Sequence, residues 1–213
     1  MKKLTPLLIL SILVGCIVPQ PATSGVDVPM ARGLRQPDSP LIWPALAYYS
    51  YLPTARYGPF ERDCYMTNGA LIFAALLMTD PHQRRKQPRC NSALVEAAQA
   101  RARSMAEEGY FAHCDPTGKC ANAYAVEYGC SLPLGYDPRG NNIESIGAGT
   151  SDPYVMYGGL LYSSSHVVHI LALSPFFADQ LDVGVGFYEK PGSPYTYYWS
   201  VLTAPCQTVR SGE

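Results

Sequence analysis

Two histidines have neighbours that suit them to chemistry. His113 lies in GYFAHCDPTGKC (109–120), between aromatic side chains and a pair of cysteines. His166 follows three serines in SSSHVVHIL (163–171). A neutral imidazole can bind a divalent cation or act as a general base, and it can also serve as a hydrogen-bonded core residue. We therefore ask which of these roles the surrounding elements allow.

The serines beside His166 raise the question of a serine nucleophile. The run Ser163–Ser165 lacks the Gly-x-Ser-x-Gly elbow that exposes the serine of many hydrolases. We interpret it instead as a cap between two helices. The other two histidines, His82 and His169, are interpreted as ordinary surface or core residues.

The chain has seven cysteines, and Cys16 lies apart from the rest at the end of an N-terminal apolar run. The other six form an even set, which in an exported chain predicts three disulfides. The sequence leaves their pairing open, although the crowding of three of them within residues 114–130 indicates a bridge there. A metal cluster is the alternative, but the chain lacks the Cys-x-x-Cys pairs of common structural zinc sites. The six are Cys64, Cys90, Cys114, Cys120, Cys130 and Cys206.

The opening MKKLTPLLILSILVGC is typical of an export signal, because two lysines precede an apolar run too short to span a bilayer comfortably. Its last four residues, Leu13 to Cys16, resemble a bacterial lipobox, in which cleavage leaves an N-terminal cysteine that receives acyl chains. We expect residues 1–15 to be a lipoprotein signal peptide and Cys16 to carry the lipid anchor. An ordinary signal peptide cut nearby, or an uncleaved anchor, is the alternative. The prediction is an extracytoplasmic protein, lipid-anchored to a bacterial cell membrane.

The rest of the chain divides into four segments. Residues 16–44 are rich in Pro, Gly and Ser and predict a lipidated cysteine followed by an extended tether. Residues 45–66 are too aromatic for a free linker, and we expect them to pack on the domain as an N-terminal extension. The predicted domain covers residues 67–206, and residues 207–213 are a C-terminal tail.

The charge of the chain excludes one class of partner. Without residues 1–15, which contain Lys2 and Lys3, 14 basic and 17 acidic side chains leave a net charge of −3. No nucleic-acid-binding surface is therefore predicted. The compact basic segment HQRRKQPRC (82–90) is interpreted as a solvated loop, with contact to anionic lipid or cell-wall polymers as the alternative.

Helical signals dominate the first half of the domain. TNGALIFAALLMTD predicts a buried helix, and NSALVEAAQARARSMAEEG predicts a second one with a cap near Asn91 and a stop at Gly109. Shorter helices are predicted within residues 120–128 and from Asp152 onward, where a proline follows a capping residue.

The C-terminal part has the period of strands. DVGVGFYE and SPYTYYWSVLT alternate apolar with smaller or polar residues, and KPGSP supplies turn residues between them. This predicts an antiparallel hairpin. Helices followed by a late sheet favour an α+β fold with helices packed on an antiparallel sheet.

Five segments follow one another between residues 67 and 203: LVEAAQARARSMAEEGYFAH, GNNIESIGAG, LLYSSSHVVHIL, DVGVGF and YYWSV. In this order they resemble the CAP superfamily of cysteine-rich secretory, antigen 5 and pathogenesis-related proteins, in its bacterial SCP-like form. The resemblance implies a three-layer α-β-α sandwich around a central antiparallel sheet. It also implies a cleft in which two histidines, here His113 and His166, hold a divalent cation such as zinc.

The resemblance breaks at the acidic position of the cleft. The family's glutamate falls on Asn141, and an amide cannot act as a general base near neutral pH. Glu144, three residues on, would point to the opposite face of an extended segment. Asn142 is expected to brace the cleft backbone through its side chain. The candidate cleft residues are His113, Asn141, Asn142, Glu144 and His166.

These features favour a binding protein over an enzyme. We expect a membrane-anchored CAP domain outside the cytoplasm, whose cleft takes a divalent cation or an apolar, lipid-like, glycan or protein ligand. The alternative is a metal-dependent hydrolase acting on peptides or cell-wall material, with a zinc-bound water between His113 and His166. The amide at Asn141 counts against that alternative.

Overall fold

The computed structural model describes residues 64–207 and the backbone of residues 16–17. The predicted signal peptide, residues 18–44 of the tether and residues 45–63 of the aromatic extension lie outside the described residues, as do residues 208–213 of the tail. The elements, in chain order, are β1 (Cys16–Ile17), α1 (Asn68–Thr79), β2 (Arg89–Cys90), α2 (Ser92–Glu108), α3 (Ala121–Glu127), β3 (Glu144–Ala148), α4 (Pro153–Tyr162), α5 (Ser164–Ile170), α6 (Pro175–Ala178), β4 (Asp182–Glu189) and β5 (Tyr197–Ala204).

The strands form one sheet in the order β1-β3-β5-β4-β2. Its three long strands are antiparallel, and the predicted hairpin is the β4–β5 pair, in register from Asp182 opposite Ala204 to Glu189 opposite Tyr197. Two-residue strands pair in parallel at the edges, β1 with β3 and β2 with β4. The three central strands form the antiparallel sheet that was predicted. The two short edge strands pair in parallel, so the sheet as a whole is mixed.

One face of the sheet is covered by α1 and α4. Their apolar side chains enclose the largest cluster of buried residues, which includes Phe73 of α1, Met156 and Leu160 of α4, and Trp199 and Val201 of β5. The alternation expected for β4 and β5 supplies the sheet's share of this core, since every second residue faces the same side.

The other face is covered by α2, which lies very close to β4. A Cβ added at Gly184 would overlap the α2 backbone at Leu94, and one added at Gly186 would overlap it at Ala98. The two glycines therefore allow the helix to rest directly on the strand. The short helix α3 packs against α2 from outside the sheet. Helices thus lie on both faces of the central strands, in the predicted α-β-α arrangement.

Local capping signals set the ends of α2 and the start of α4 as predicted. The Asn91 side chain accepts a hydrogen bond from the Leu94 amide at the start of α2, and Gly109 ends it with φ at +72°. Asp152 caps α4 by accepting from the amides of Tyr154 and Val155. The serine run also behaves as expected, because Ser163 ends α4 and begins α5.

Three disulfides join the six cysteines of the domain, which confirms their predicted number. Cys64–Cys90 attaches the start of the domain to β2, and Cys130–Cys206 links the end of α3 to the segment after β5. The third, Cys114–Cys120, closes a short loop. That loop begins directly after His113, so a covalent bridge limits the freedom of the segment that carries this histidine.

The basic side chains of segment 82–90 are exposed as predicted, except that of Arg85. Arg85 is buried, and its guanidinium donates to the carbonyls of His169, Ile170 and Gln180. Burial lowers its pKa to about 10. Arg89 pairs with Asp182 at 2.6 Å. The carbonyls around Arg85 replace the solvent that its guanidinium loses, whereas Arg89 stays exposed while it pairs with a buried carboxylate.

No helix within residues 64–207 is long and apolar enough to cross a membrane.

Candidate functional site

His113 lies just beyond the end of α2, in the loop that Gly109 starts. About a third of its side chain is exposed, and its Nδ1 lies 3.0 Å from Oε2 of Glu144. Glu144 is the first residue of β3 and its side chain is completely buried. The histidine therefore has one ring nitrogen held inside the protein, while part of the ring reaches the surface.

Glu144 has two further partners on its other oxygen. Oε1 accepts from Arg101 Nε at 3.0 Å and from Ser200 Oγ at 2.9 Å. The side chains of Arg101 and Glu144 are both 0% exposed, so this is a buried ion pair. Burial alone would raise the pKa of Glu144, but the guanidinium of Arg101 and then His113 lower it below its usual value. Glu144 is consequently ionised at neutral pH.

The charge of Glu144 determines which proton His113 carries. An ionised carboxylate only accepts hydrogen bonds, so Nδ1 of His113 must be the donor in this contact. In the neutral ring the lone pair is then on Nε2, on the side away from Glu144. The arrangement presents a hydrogen-bond acceptor, or a metal ligand, at the partly exposed edge of His113.

His166 lies in the short helix α5 and is buried. Its Nδ1 is 2.7 Å from Oγ of Ser163, the residue that precedes the helix. Burial lowers the pKa of His166, and the charge of His113 lowers it further. His113 and His166 are therefore within electrostatic reach of each other, and His166 favours the neutral form.

The described residues do not complete a metal site from protein ligands. Residues 64–207 contain no group of three or more His, Cys, Asp or Glu side chains that could hold a metal ion. Both oxygens of Glu144 already have partners, and Nε2 of His113 and Nε2 of His166 make no hydrogen bond within the described residues. Zinc sites commonly use three or four protein ligands. Cation binding by the two histidines stays a prediction.

The carboxylate that contacts His113 belongs to Glu144, and position 141 carries an amide. Asn141 is exposed, and its side chain makes no hydrogen bond within the described residues. Glu144, which is one of the candidate cleft residues, contacts His113. Asn141 and Glu144 differ in burial because Asn141 precedes β3, whereas Glu144 is its first residue. The Glu144 side chain points to the α2 side of the sheet, where Arg101 and Ser200 lie.

Asn142 behaves as predicted, bracing the segment before β3. Its Oδ1 accepts from Nδ2 of Asn122 at 2.8 Å, and its backbone amide donates to Oδ1 of the same residue at 3.2 Å. The paired amides join the end of this loop to α3. They therefore help to fix the point at which β3, and with it Glu144, begins.

Sequence reasoning missed Arg101 and Ser200. A signal for Arg101 was present, because it lies three residues after Ala98 and seven after Leu94, on the helical face that both of these residues bury. A charged residue on the buried stripe of a helix requires a partner of opposite charge. The sequence contains no comparable signal for Ser200, because the alternation along β5 predicts which face of the sheet Ser200 lies on but does not identify Glu144 as its hydrogen-bond partner.

His169 belongs to a separate, fully buried cluster on the opposite face of the sheet. Its Nδ1 lies 2.7 Å from Oγ of Ser145, and its Nε2 lies 2.7 Å from Oγ1 of Thr203. Burial lowers its pKa well below the usual value, and the nearby Arg85 contributes in the same direction. His169 is a neutral core residue, in agreement with its interpretation from the sequence.

A cavity of about 340 Å³ lies along α2, between Tyr65 and Tyr128. Val95, Glu96 and Arg103 also line it. Neither His113 nor His166 is among its lining residues, so it is separate from the histidine site.

No family model and no curated protein matches the chain. Two solved structures align with part of it. An extracellular protein containing an SCP domain from Bacillus anthracis aligns over 63% of this chain and 37% of its own, with 18% identity and a TM-score of 0.43. An outer surface protein from Borrelia burgdorferi aligns over 65% of this chain and 87% of its own, with 15% identity and a TM-score of 0.46. This chain thus spans little more than a third of the length of the first structure, and both alignments leave about a third of this chain unmatched.

Proposed function

We propose that this chain is a ligand-binding domain of the CAP type that works outside the cytoplasm and binds at the exposed edge of His113. The observation that supports this most is the complete engagement of Glu144. Its two oxygens are held by Arg101, Ser200 and His113, so the acid orients the histidine and has no free oxygen for a substrate.

The geometry suits recognition because it holds one acceptor in a fixed place. Nδ1 of His113 is engaged by a buried carboxylate, which leaves Nε2 as the available atom of the ring. Buried partners that lock a side chain lower the entropy lost when it binds a ligand. A hydroxyl of a glycan, a polar group of a lipid or peptide, or a divalent cation would match such an atom.

The proposal includes attachment to a membrane through acyl chains on Cys16. The lipobox-like sequence Leu13–Cys16 supports it, and several acyl chains would anchor the protein firmly. The prediction is tested by mass spectrometry of the N-terminal peptide and by Cys16→Ser, which should move the protein from the membrane fraction to the soluble fraction. An unmodified Cys16 in a membrane-bound protein would contradict it.

The alternative, a hydrolase acting on peptides or cell-wall material, also has one observation in its favour. A carboxylate hydrogen-bonded to Nδ1 of an imidazole orients Nε2 to accept a proton, as in general-base catalysis. In that case His113 would take a proton from water or from a substrate hydroxyl.

Binding tests with two histidine variants address both functions. The mature protein, His113→Ala and the control His82→Ala are titrated with zinc by calorimetry and with muropeptides and lipid vesicles by surface plasmon resonance. His82 is partly exposed, and its ring hydrogen-bonds to Asp80 and to no residue of the candidate site, so its removal should leave binding unchanged.

The expected result is a ligand whose affinity falls up to about tenfold in His113→Ala only, since a neutral hydrogen bond contributes about 0.5–1.5 kcal/mol and about 1.4 kcal/mol is a factor of ten. Equal affinities for the mature protein and His113→Ala would refute the proposed site. Turnover of a muropeptide that is lost in His113→Ala would favour the hydrolase instead.

A further inference from the structure

We infer that Arg101 is the positioning residue of the candidate site: a single guanidinium holds both the acid Glu144 and the segment that carries His113. The inference rests on the proposed function, because it concerns the same site.

Three different nitrogens of Arg101 make three different contacts. Nε donates to Oε1 of Glu144 at 3.0 Å, the first terminal nitrogen donates to the Tyr110 hydroxyl at 2.7 Å, and the second donates to the carbonyl of Ala112 at 2.6 Å. The first contact fixes the acid on β3. The other two fix the loop immediately before His113. One rigid plane therefore sets the distance between Glu144 and the backbone of His113.

The plane of the guanidinium is itself held on several sides. Its carbon lies 5.0 Å from the centre of the Tyr124 ring and 5.8 Å from that of Tyr110. The Tyr110 hydroxyl is 2.7 Å from Oγ of Ser104, and the Tyr124 hydroxyl donates to Asp115 at 2.9 Å. Asp115 lies two residues after His113. Through Tyr124 and Asp115, the segment that follows His113 is therefore connected to the guanidinium of Arg101.

Stability alone does not account for the Arg101–Glu144 pair. Well-packed apolar residues can often replace a buried ion pair without loss of stability, because desolvation offsets much of the attraction between the charges. A planar fork with donors in fixed directions supplies something that apolar packing cannot, namely a defined place for two separate acceptors. Here those acceptors are the acid that orients His113 and the peptide group that precedes it.

The substitution Arg101→Lys tests the inference, because lysine keeps the positive charge beside Glu144 and loses the fork. A single ammonium group cannot reach Glu144, Tyr110 and Ala112 in the directions that the guanidinium uses. The matched control is Arg103→Lys, on the same helix, where the exposed arginine pairs with Glu107.

The readout is the protonation form of the His113 ring in the ligand-free mature protein, from long-range ¹H–¹⁵N correlation spectra. We expect mature protein and Arg103→Lys to hold the proton on Nδ1. In Arg101→Lys, the ratio of Nδ1-protonated to Nε2-protonated neutral ring should fall about tenfold, which corresponds to the loss of one well-oriented hydrogen bond. A merely structural role for Arg101 would lower the melting temperature without this change.

An unchanged His113 spectrum in folded Arg101→Lys would overturn the inference. If Arg101→Lys does not fold, Tyr110→Phe tests the inference instead. It removes one hydrogen-bond acceptor of the Arg101 guanidinium and keeps the Arg101–Glu144 pair. It should also lower the ratio of Nδ1-protonated to Nε2-protonated His113. A spectrum of Tyr110→Phe identical to that of the mature protein would then overturn it.

The two proposals fail in different experiments. Equal ligand affinity in His113→Ala and the mature protein would refute the binding site, whatever the spectrum of Arg101→Lys. Conversely, a lost ligand in His113→Ala with an unchanged spectrum in Arg101→Lys would keep the site and reject the positioning role of Arg101.

Discussion

Replacing Glu144 by glutamine would leave the guanidinium of Arg101 buried without a carboxylate. The two side chains are 0% exposed and their atoms are 3.0 Å apart, so neither charge is screened by solvent. Removing one partner of a buried ion pair costs about 3–5 kcal/mol, because the remaining charge keeps its desolvation penalty. Glu144→Gln should therefore lower the free energy of unfolding at pH 7 by about this amount.

The acid dependence of stability gives a second, independent signature. Arg101 and His113 hold the pKa of Glu144 below its usual value, although burial opposes them. A depressed carboxyl pKa stabilises the folded protein above the unfolded pKa of about 4.3, and this contribution is lost as the pH falls through the folded value. The difference in the free energy of unfolding between the unsubstituted protein and Glu144→Gln should thus shrink as the pH is lowered below about 4.

Urea denaturation followed by circular dichroism measures both effects. The exposed Glu107, which pairs with Arg103, provides the control, and Glu107→Gln should cause no measurable loss. A double-mutant cycle with Arg101→Met isolates the pair. The double variant should be about 2–3 kcal/mol more stable than the sum of the single effects predicts. Additive effects, or a loss in Glu144→Gln no larger than in Glu107→Gln, would refute the buried ion pair.

Three further predictions concern the framework around the site. Replacing both Cys130 and Cys206 by alanine should lower the free energy of unfolding by about 4–5 kcal/mol, whereas replacing Cys114 and Cys120 should lower it by about 2 kcal/mol. The two bridges differ because they close loops with sequence separations of 76 and 6. Urea midpoints of both variants, measured under oxidising conditions, check this order. The free energy of unfolding should fall as the pH drops below about 6.5, because burial holds the pKa of His169 well below its value in the unfolded chain, so the unfolded chain takes up the proton first. The same pH series on His169→Gln should show a smaller decline. An equal decline would contradict the interpretation of His169 as a neutral core residue. Gly186→Ala should cost about 1–3 kcal/mol, since its Cβ would overlap the α2 backbone, and an unchanged melting temperature would show that the helix can move away.

The ends of the helices and the C-terminal hairpin could be predicted from the sequence because each depends on neighbours within a few residues. Asn91 and Asp152 cap their helices through amides two or three positions away. Gly109 ends α2 by adopting a backbone angle that other residues disfavour. Alternation along β4 and β5 gives their buried face directly. These are short-range effects, and a single segment contains all the information they need.

The two candidate histidines were predicted from the sequence through motifs that resemble those of a known family, and their role stays a prediction. The acid was harder to place. Asn141 and Glu144 differ by three residues, and only the point at which β3 starts decides which side chain faces α2. That point depends on Asn142 and its partner Asn122 in another helix, so no local pattern contains it.

Tertiary structure alone decided which groups became partners. Arg101 and Glu144 are 43 residues apart, and Arg85 and Gln180 are 95 apart, yet each pair is in direct contact. The pairing of the six cysteines was equally open until the chain was folded. Local sequence determines which backbone conformation a residue prefers, whereas the partner of a buried charge depends on how helices pack on the sheet, because desolvation makes that partner necessary and packing alone brings it within reach.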